Sequence, residues 1–134
     1  MQQRVLKTLE YDKIRAMLRE RASCCVSRER VDTMEPTNVP EEAERMLALT
    51  AEAETHLFRS GRSPVDDFPD MRECLARIRA ALFVTPKELL GIASCLRAAR
   101  VTRETLTKDG GEGLLFNMAS FLTTHRSLEE EINR

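Results

Sequence analysis

Along most of this chain apolar residues return at the three-and-four spacing of one helix face, and the punctuation between those runs divides it into helices. From Gln3 to about Ala22, Val5, Leu6 and Leu9 and then Ile14, Met17 and Leu18 hold that spacing. A short break falls near Glu10 and Tyr11, after which Asp12 is placed to cap a second piece. Ser23 is the expected N-cap of a helix from Cys24 to about Met34, which Pro36 follows and cannot extend. Asn38, three residues before Glu41 and with Pro40 in the first turn, predicts a helix to about Ser60 with Gly61 as its stop. That helix carries a broad apolar face, Ala43, Met46, Leu47, Leu49, Ala53, Leu57 and Phe58, opposite an acidic exterior of Glu41, Glu42, Glu44, Glu52 and Glu54.

The stretch from Arg62 to Pro69, with two prolines and Asp66-Asp67, reads as loop, and Asp70 to about Ala81 as helix. Thr85-Pro86-Lys87-Glu88 is the strongest local signal: a threonine to accept from the first turn, a proline whose missing N–H costs nothing there, and a glutamate able to reach back. The long helix it starts runs to about Thr107 with Leu89, Ile92, Ala93, Leu96 and Ala99 inward. Gly110, Gly111 and Gly113 break the pattern, and Leu114 to Leu122 makes a shorter helix. Ser127-Leu128-Glu129-Glu130 repeats the capping logic seven residues before Arg134. A helix so started gains by propagating, which suggests a piece of a longer protein. Only Leu82-Phe83-Val84 invites a brief extended pairing. The fold class predicted is all-α, an irregular bundle of about six to seven helices forming one helical domain over 1–134, a fragment of a larger multidomain protein.

Composition narrows the function classes. With 134 residues, 42% hydrophobic and 32% charged, the chain can bury roughly two-thirds of its unfolded surface without metal or disulfide. The longest uncharged apolar stretch, Ala80 to Thr85, is too short to span a bilayer, and Met1 to Glu10 has no signal-peptide core, so the predicted location is cytoplasmic, with no membrane partner. A net charge of −1 gives no global field toward nucleic acid, so any such binding must come from a local patch. Cys24, Cys25, Cys74 and Cys95 lack metal-ligand spacing; Cys74 falls in the apolar series Met71, Cys74, Leu75, Ile78 and is expected in a core as a reduced thiol.

Catalytic material is missing from the residues. Gly110-Gly111-Glu112-Gly113 has no lysine and no preceding strand for a phosphate loop, and is expected to be an interhelix connection. His56 and His125 stand outside any metal or nucleophile motif and are read as solvated surface residues. The clusters Glu41, Glu42, Glu44 and Glu129, Glu130, Glu131 lie in first turns of helices, where carboxylates are normally wet. No catalytic, cofactor-binding or metal-binding residue is therefore assigned, and the chain by itself is not expected to be an enzyme. Arg97, Arg100 and Arg103 are the candidate contact residues: their spacing keeps them within about 120° of one another around the long helix, a basic stripe for nucleic acid or an acidic partner. Against that stands the plainer role of cations that complement a helix C-terminus and pair with neighbours such as Glu104.

The order of segments resembles the start of the second bacterial MutS family. The resemblance rests on Leu9-Glu10-Tyr11-Asp12-Lys13-Ile14, on Met34-Glu35-Pro36 closing the next helix, on Glu41 to Ala53, on Asp70-Met71-Arg72, and above all on Thr85-Pro86-Lys87-Glu88-Leu89-Leu90-Gly91-Ile92-Ala93 with Leu96-Arg97; Leu128-Glu129-Glu130-Glu131-Ile132 falls where that family begins its next segment. Where such proteins often carry glycines before the Asp-Ile-Arg-like turn, this chain has Asp66-Asp67-Phe68. The resemblance implies the N-terminal part of the core and lever region of a dimeric, mismatch-repair-like MutS ATPase with a C-terminal Smr endonuclease domain. It also implies action on branched DNA in suppressing recombination, or on collided ribosomes in ribosome quality control. ATP and Mg would belong to that full-length protein, no cofactor to this fragment. The implied partners are the remaining domains of the same polypeptide, DNA or the ribosome through it, and a second copy in a homodimer. Two other roles fit the residues: a free-standing helical protein–protein interaction module, and an Arg-rich nucleic-acid-binding domain.

Overall fold

The computed structural model describes residues 3–108 and 111–134, all helix and connection among those residues, with eight helices where six to seven were predicted. Gly110, read above as part of a connection, lies outside the described residues. The helices fall into two compact units, Met1–Ala48 and Leu49–Arg134, and the division lies inside the fourth helix.

The first unit begins with α1 (Gln3–Thr8) and α2 (Tyr11–Arg21). Between them Glu10, not Asp12, is the N-cap, in the left-handed region at φ 52° and without a side-chain cap. Asp12 lies one residue inside the helix and pairs with Arg15 at 3.1 Å. α3 (Cys25–Asp32) packs on α2, and its N-cap is Cys24 rather than Ser23: the sulfur accepts from the Ser27 N–H at 3.4 Å. Tyr11 Oη donates to the Met34 carbonyl at 3.2 Å, tying the start of α2 to the residues after α3. Arg28 closes the other end, its Nε donating to the Ala22 carbonyl at 3.1 Å. Cys24 and Val31 are the buried apolar residues of this unit.

α4 (Pro40–Ser60) ends at Gly61, whose φ of 68° places it in the left-handed region and whose N–H returns to the Leu57 carbonyl at 2.8 Å. α5 (Arg72–Arg79) follows the loop. Its apolar stripe does reach a core through Cys74, which is 4% exposed. It closes in a Schellman turn, Ala81 N–H to Ile78 and Leu82 N–H to Arg77, with Ala81 itself at φ 55°. Among the described residues the Leu82-Phe83-Val84 stretch pairs with nothing extended, and Phe83 is 97% exposed.

α6 (Pro86–Thr107) is the axis of the second unit, and α7 (Leu114–Ser120) and α8 (Arg126–Ile132) pack on it. The capping box is complete: Thr85 Oγ1 accepts from the Glu88 N–H at 3.3 Å and Glu88 Oε2 accepts from the Thr85 N–H at 2.8 Å. The residues α6 buries are Ala93, Ala98 and Thr102. Of the predicted inward set only Ala93 is fully covered, because small side chains let neighbours approach closely while Leu89 stays half in solvent. Loop 61–71 is stitched to α6 by Thr102 Oγ1 donating to the Pro64 carbonyl at 3.1 Å and by Cys95 Sγ donating to Pro69 at 3.3 Å. Among the described residues no helix is long and apolar enough to cross a membrane.

Candidate functional site

The basic stripe resolves into three different environments. Arg100 turns toward α8 and grips Glu129 with two parallel bonds, Nε to Oε2 at 2.9 Å and Nη2 to Oε1 at 3.0 Å. A weaker bond runs from Nη1 to Glu104 at 3.3 Å. This is the fork-on-fork geometry in which guanidinium and carboxylate match best, and it is largely withdrawn from water: the Glu129 side chain is 10% exposed and that of Arg100 19%. The hydrogen bonds from Arg100 hold the Glu129 carboxyl below its ordinary value, with the charges of Arg100, Arg97 and Arg126 adding to the effect. The same hydrogen bonds to Glu129 push the Arg100 guanidinium up. Arg97 is exposed and Arg103 partly so. One helix thus displays two of the three arginines, and the middle one fastens α8 to α6.

Glu129 was expected to be wet, in a capping box led by Ser127. The N-cap of α8 is instead His125, two residues earlier and with no side-chain cap, and Ser127 lies inside the helix. Starting the helix earlier turns Glu129 inward to Arg100. The sequence signal for this was available in retrospect, an arginine in mid-helix with a glutamate in the first turn of a later one, but spacing along the chain cannot register a pair 29 residues apart.

A second arrangement lies at α7. Glu52, assigned above to an acidic exterior, accepts from the N–H of Leu114 at 2.9 Å and of Leu115 at 2.8 Å. Those are N–H groups that a helix start leaves without an internal partner, and a carboxylate there also meets the positive end of the helix dipole. The two backbone bonds lower the Glu52 pKa, that from Leu115 most. Gly113 permits the approach: a Cβ at that position would stand 2.9 Å from a Glu52 oxygen.

Beside this cap, within the second unit, an open groove of about 780 Å³ runs between the C-terminal half of α4, the end of α6 and the start of α7. Ala51, Leu106, Leu115 and Phe116 supply its apolar lining; Arg59, Arg62 and Lys108 bring cations and Glu52 and Glu112 carboxylates. His56 also lines it, partly covered, with its Nε2 buried and unpartnered in place of the solvated imidazole expected. His125 is exposed as predicted. All four cysteines are free thiols, and among the described residues no group of three or more metal-ligating side chains converges.

Elsewhere, large apolar side chains face outward. Ile14, Met17 and Leu18 on α2 are 59%, 67% and 43% exposed, and Phe58 and Phe121 are 82% and 86% exposed.

No protein-family profile and no solved structure matches the chain. Relatives are nonetheless found along its full length. It is 33% identical to the protein named Endonuclease MutS2 of Geobacillus kaustophilus (strain HTA426), over 100% of this chain and 18% of the relative. It is 37% identical to the Endonuclease MutS2 of Brevibacillus brevis (strain 47 / JCM 6285 / NBRC 100599), again over 100% of this chain and 18% of the relative. For the Endonuclease MutS2 of Symbiobacterium thermophilum the identity is 30%, over 100% of this chain and 17% of that protein. The chain therefore spans less than a fifth of the length of the curated relatives it matches. End to end it is a homologue of a segment of the MutS2-type proteins, consistent with their N-terminal domain.

Proposed function

We propose that this chain is a structural and mechanical module of a MutS2-like protein, docked on the remaining domains of that polypeptide. In this reading the parent is a cytoplasmic, ATP- and Mg-dependent homodimer, acting as an endonuclease on branched DNA or on ribosomes, and the module carries none of that chemistry. The observation that supports it most is a match over the whole chain to less than a fifth of each relative, in a chain that leaves Ile14, Met17, Phe58 and Phe121 largely in solvent. Surface of that kind in a folded protein marks a site of contact. Helices that keep their internal contacts while shifting as rigid bodies suit the transmission of nucleotide-driven motion.

The first test is the coding sequence downstream of Arg134. An open frame with a phosphate-loop ATPase motif supports the module; a stop codon, or a frame without that motif, removes it. The second is hydrogen exchange on this chain alone and within the longer polypeptide. Amides around Ile14 to Leu18 and Phe58 should slow at least tenfold in the longer protein if those faces are covered there. Equal rates would sink the docking.

A further inference from the structure

The groove beside the Glu52 cap has a composition that selects among ligands. Its cations Arg59, Arg62 and Lys108 are exposed, and among the described residues none of the three is held in an ion pair. Of its two carboxylates, Glu52 has both oxygens committed to the N–H groups of α7, so its charge is answered by the helix end, and only Glu112 stands against an incoming anion. Formally the lining carries three positive and two negative groups, a surplus of one, in a chain whose net charge is −1. The positive groups come from separate places, two around the end of α4 and one after α6, so they suit a ligand whose charges are spread along a length better than a single compact phosphate. The lining between them mixes Ala51, Leu106 and Leu115 with the hydroxyls of Thr55, Ser60 and Thr105 and the imidazole of His56, and Phe116 is its one phenyl ring. A single-stranded nucleic acid gains most of its sequence-tolerant affinity from stacking bases on several aromatic side chains, and this groove does not supply them.

Apolar side chains at Leu106, Leu115 and Phe116, flanked by unpaired cations, instead match a peptide with apolar side chains on one face and carboxylates on the other, the helix-in-groove mode of recognition. We propose that the groove of α4, α6 and α7 is a docking site for an acidic amphipathic peptide segment of a partner. The ligand lays Leu- or Phe-type side chains against Leu106, Leu115 and Phe116 and carboxylates against Arg59, Arg62 and Lys108. None of Ile14, Met17, Phe58 and Phe121, whose exposure supports the docking proposed above, lines this groove, so the two readings are tested separately.

The probe is a synthetic amphipathic peptide with Leu and Phe on one helical face and Glu on the other, titrated into the full 134-residue chain and followed by calorimetry and by shifts of the Arg59, Arg62 and Leu115 resonances. Arg59→Glu/Arg62→Glu should weaken binding by about tenfold or more, since both residues are exposed and line the groove. Arg30→Glu/Arg45→Glu, the same change of charge at two exposed positions outside the groove, should leave it within about twofold. Circular dichroism of both variants confirms that the fold is kept. Equal weakening by the two double variants would reduce the effect to net charge and overturn the site. So would tighter binding of an oligothymidylate of the same charge, which would make the groove a nucleic-acid contact. Absence of saturable binding, or shifts confined to residues outside the groove, would overturn it as well.

Discussion

The two units of the chain are built from the same kind of helix but closed differently. In the second, each short helix is fixed to α6 or α4 by a polar device: Glu52 on the start of α7, Arg100 on Glu129 of α8 and Arg77 of α5 on Glu88, with Thr102 and Cys95 on the carbonyls of the loop before α5. In the first, the bonds are peripheral. Arg19 meets Asp32 at 3.1 Å with the two side chains 53% and 49% exposed, and Tyr11 reaches one carbonyl. Among the described residues the buried apolar side chains of the second unit are one cysteine and three alanines, so neither unit rests there on a large-residue core. Where small side chains set the packing, directional bonds decide which arrangement is unique, and these are concentrated between Leu49 and Arg134.

The sharpest way to break this contrast is to remove the carboxylate of one interhelix ion pair in each unit. Glu129→Ala leaves Arg100 without its main partner in a largely dry site. The loss should be about 2–3 kcal/mol, the range for hydrogen bonds to charged groups and short of what a fully buried pair costs. Asp32→Ala removes a pair between wet side chains and should cost under about 1 kcal/mol. Urea unfolding of the two variants measures both. Equal losses would show that the exposed and covered pairs hold their helices alike.

Acid tests the same devices together. The folded state lowers the pKa of Glu52, Glu88 and Glu129, and that of Asp70 from 3.8 to about 2, through hydrogen bonds from α7, from Thr85, from Arg100 and from Arg72 respectively. Groups lowered on folding contribute stability that is complete above their ordinary values and disappears as pH falls through the lowered ones. The second unit should therefore hold steady above the ordinary glutamate value of 4.5 and lose stability progressively below it, toward pH 2. Carbon resonances of these carboxyls, followed with the α7 and α8 amides, report it. An α8 that stays docked to the lowest pH would contradict the role given to Glu129.

Much of this architecture was legible along the chain. Helix identity followed from periodicity, the Gly61 stop and the Thr85 box from local chemistry, and the burial of Cys74 from its place in an apolar stripe. Reading failed wherever a partner lay far away in sequence. Glu52 and Glu129 have the exposed-helix neighbourhood of any surface glutamate, and only the approach of α7 and α6 makes one a cap and the other half of a buried pair. Caps set by backbone conformation were also missed: Glu10, Cys24 and His125 took positions that composition gives to Asp12, Ser23 and Ser127. The Arg97, Arg100 and Arg103 stripe shows the limit directly. Helical spacing puts three cations on one side, and what α8 brings opposite the middle one decides what that residue does.

A change at the start of α6 should have a smaller effect than loss of Glu129. Thr85→Ala deletes the hydroxyl that accepts from Glu88 N–H, and with it half of the capping box. N-cap threonines replaced by alanine cost about 1 kcal/mol. Thr85→Ser keeps the oxygen and should recover most of this. If serine behaves like alanine, the methyl group and not the hydrogen bond stabilises the start of the helix.

The finest comparison uses the two non-glycine residues held at positive φ among the described residues, one in each unit: Glu10 at 52° and Ala81 at 55°. A Cβ in that region crowds the following carbonyl, at a cost of about 1–2 kcal/mol, and glycine removes the crowding while adding freedom to the unfolded chain worth about 0.4–1 kcal/mol. Ala81 uses its side chain for no bond and closes α5 through backbone alone, so Ala81→Gly should stabilise by about 0.5 kcal/mol, the difference between those two effects. Glu10 differs because its carboxylate receives Lys13 Nζ at 2.6 Å, so Glu10→Gly relieves the same strain and loses an exposed pair worth a few tenths of a kcal/mol, roughly. Its net effect should fall closer to zero than that of Ala81→Gly. Melting temperatures of the two variants settle the order, and a larger gain at Glu10 than at Ala81 would mean that the break between α1 and α2 is more strained than the turn that ends α5.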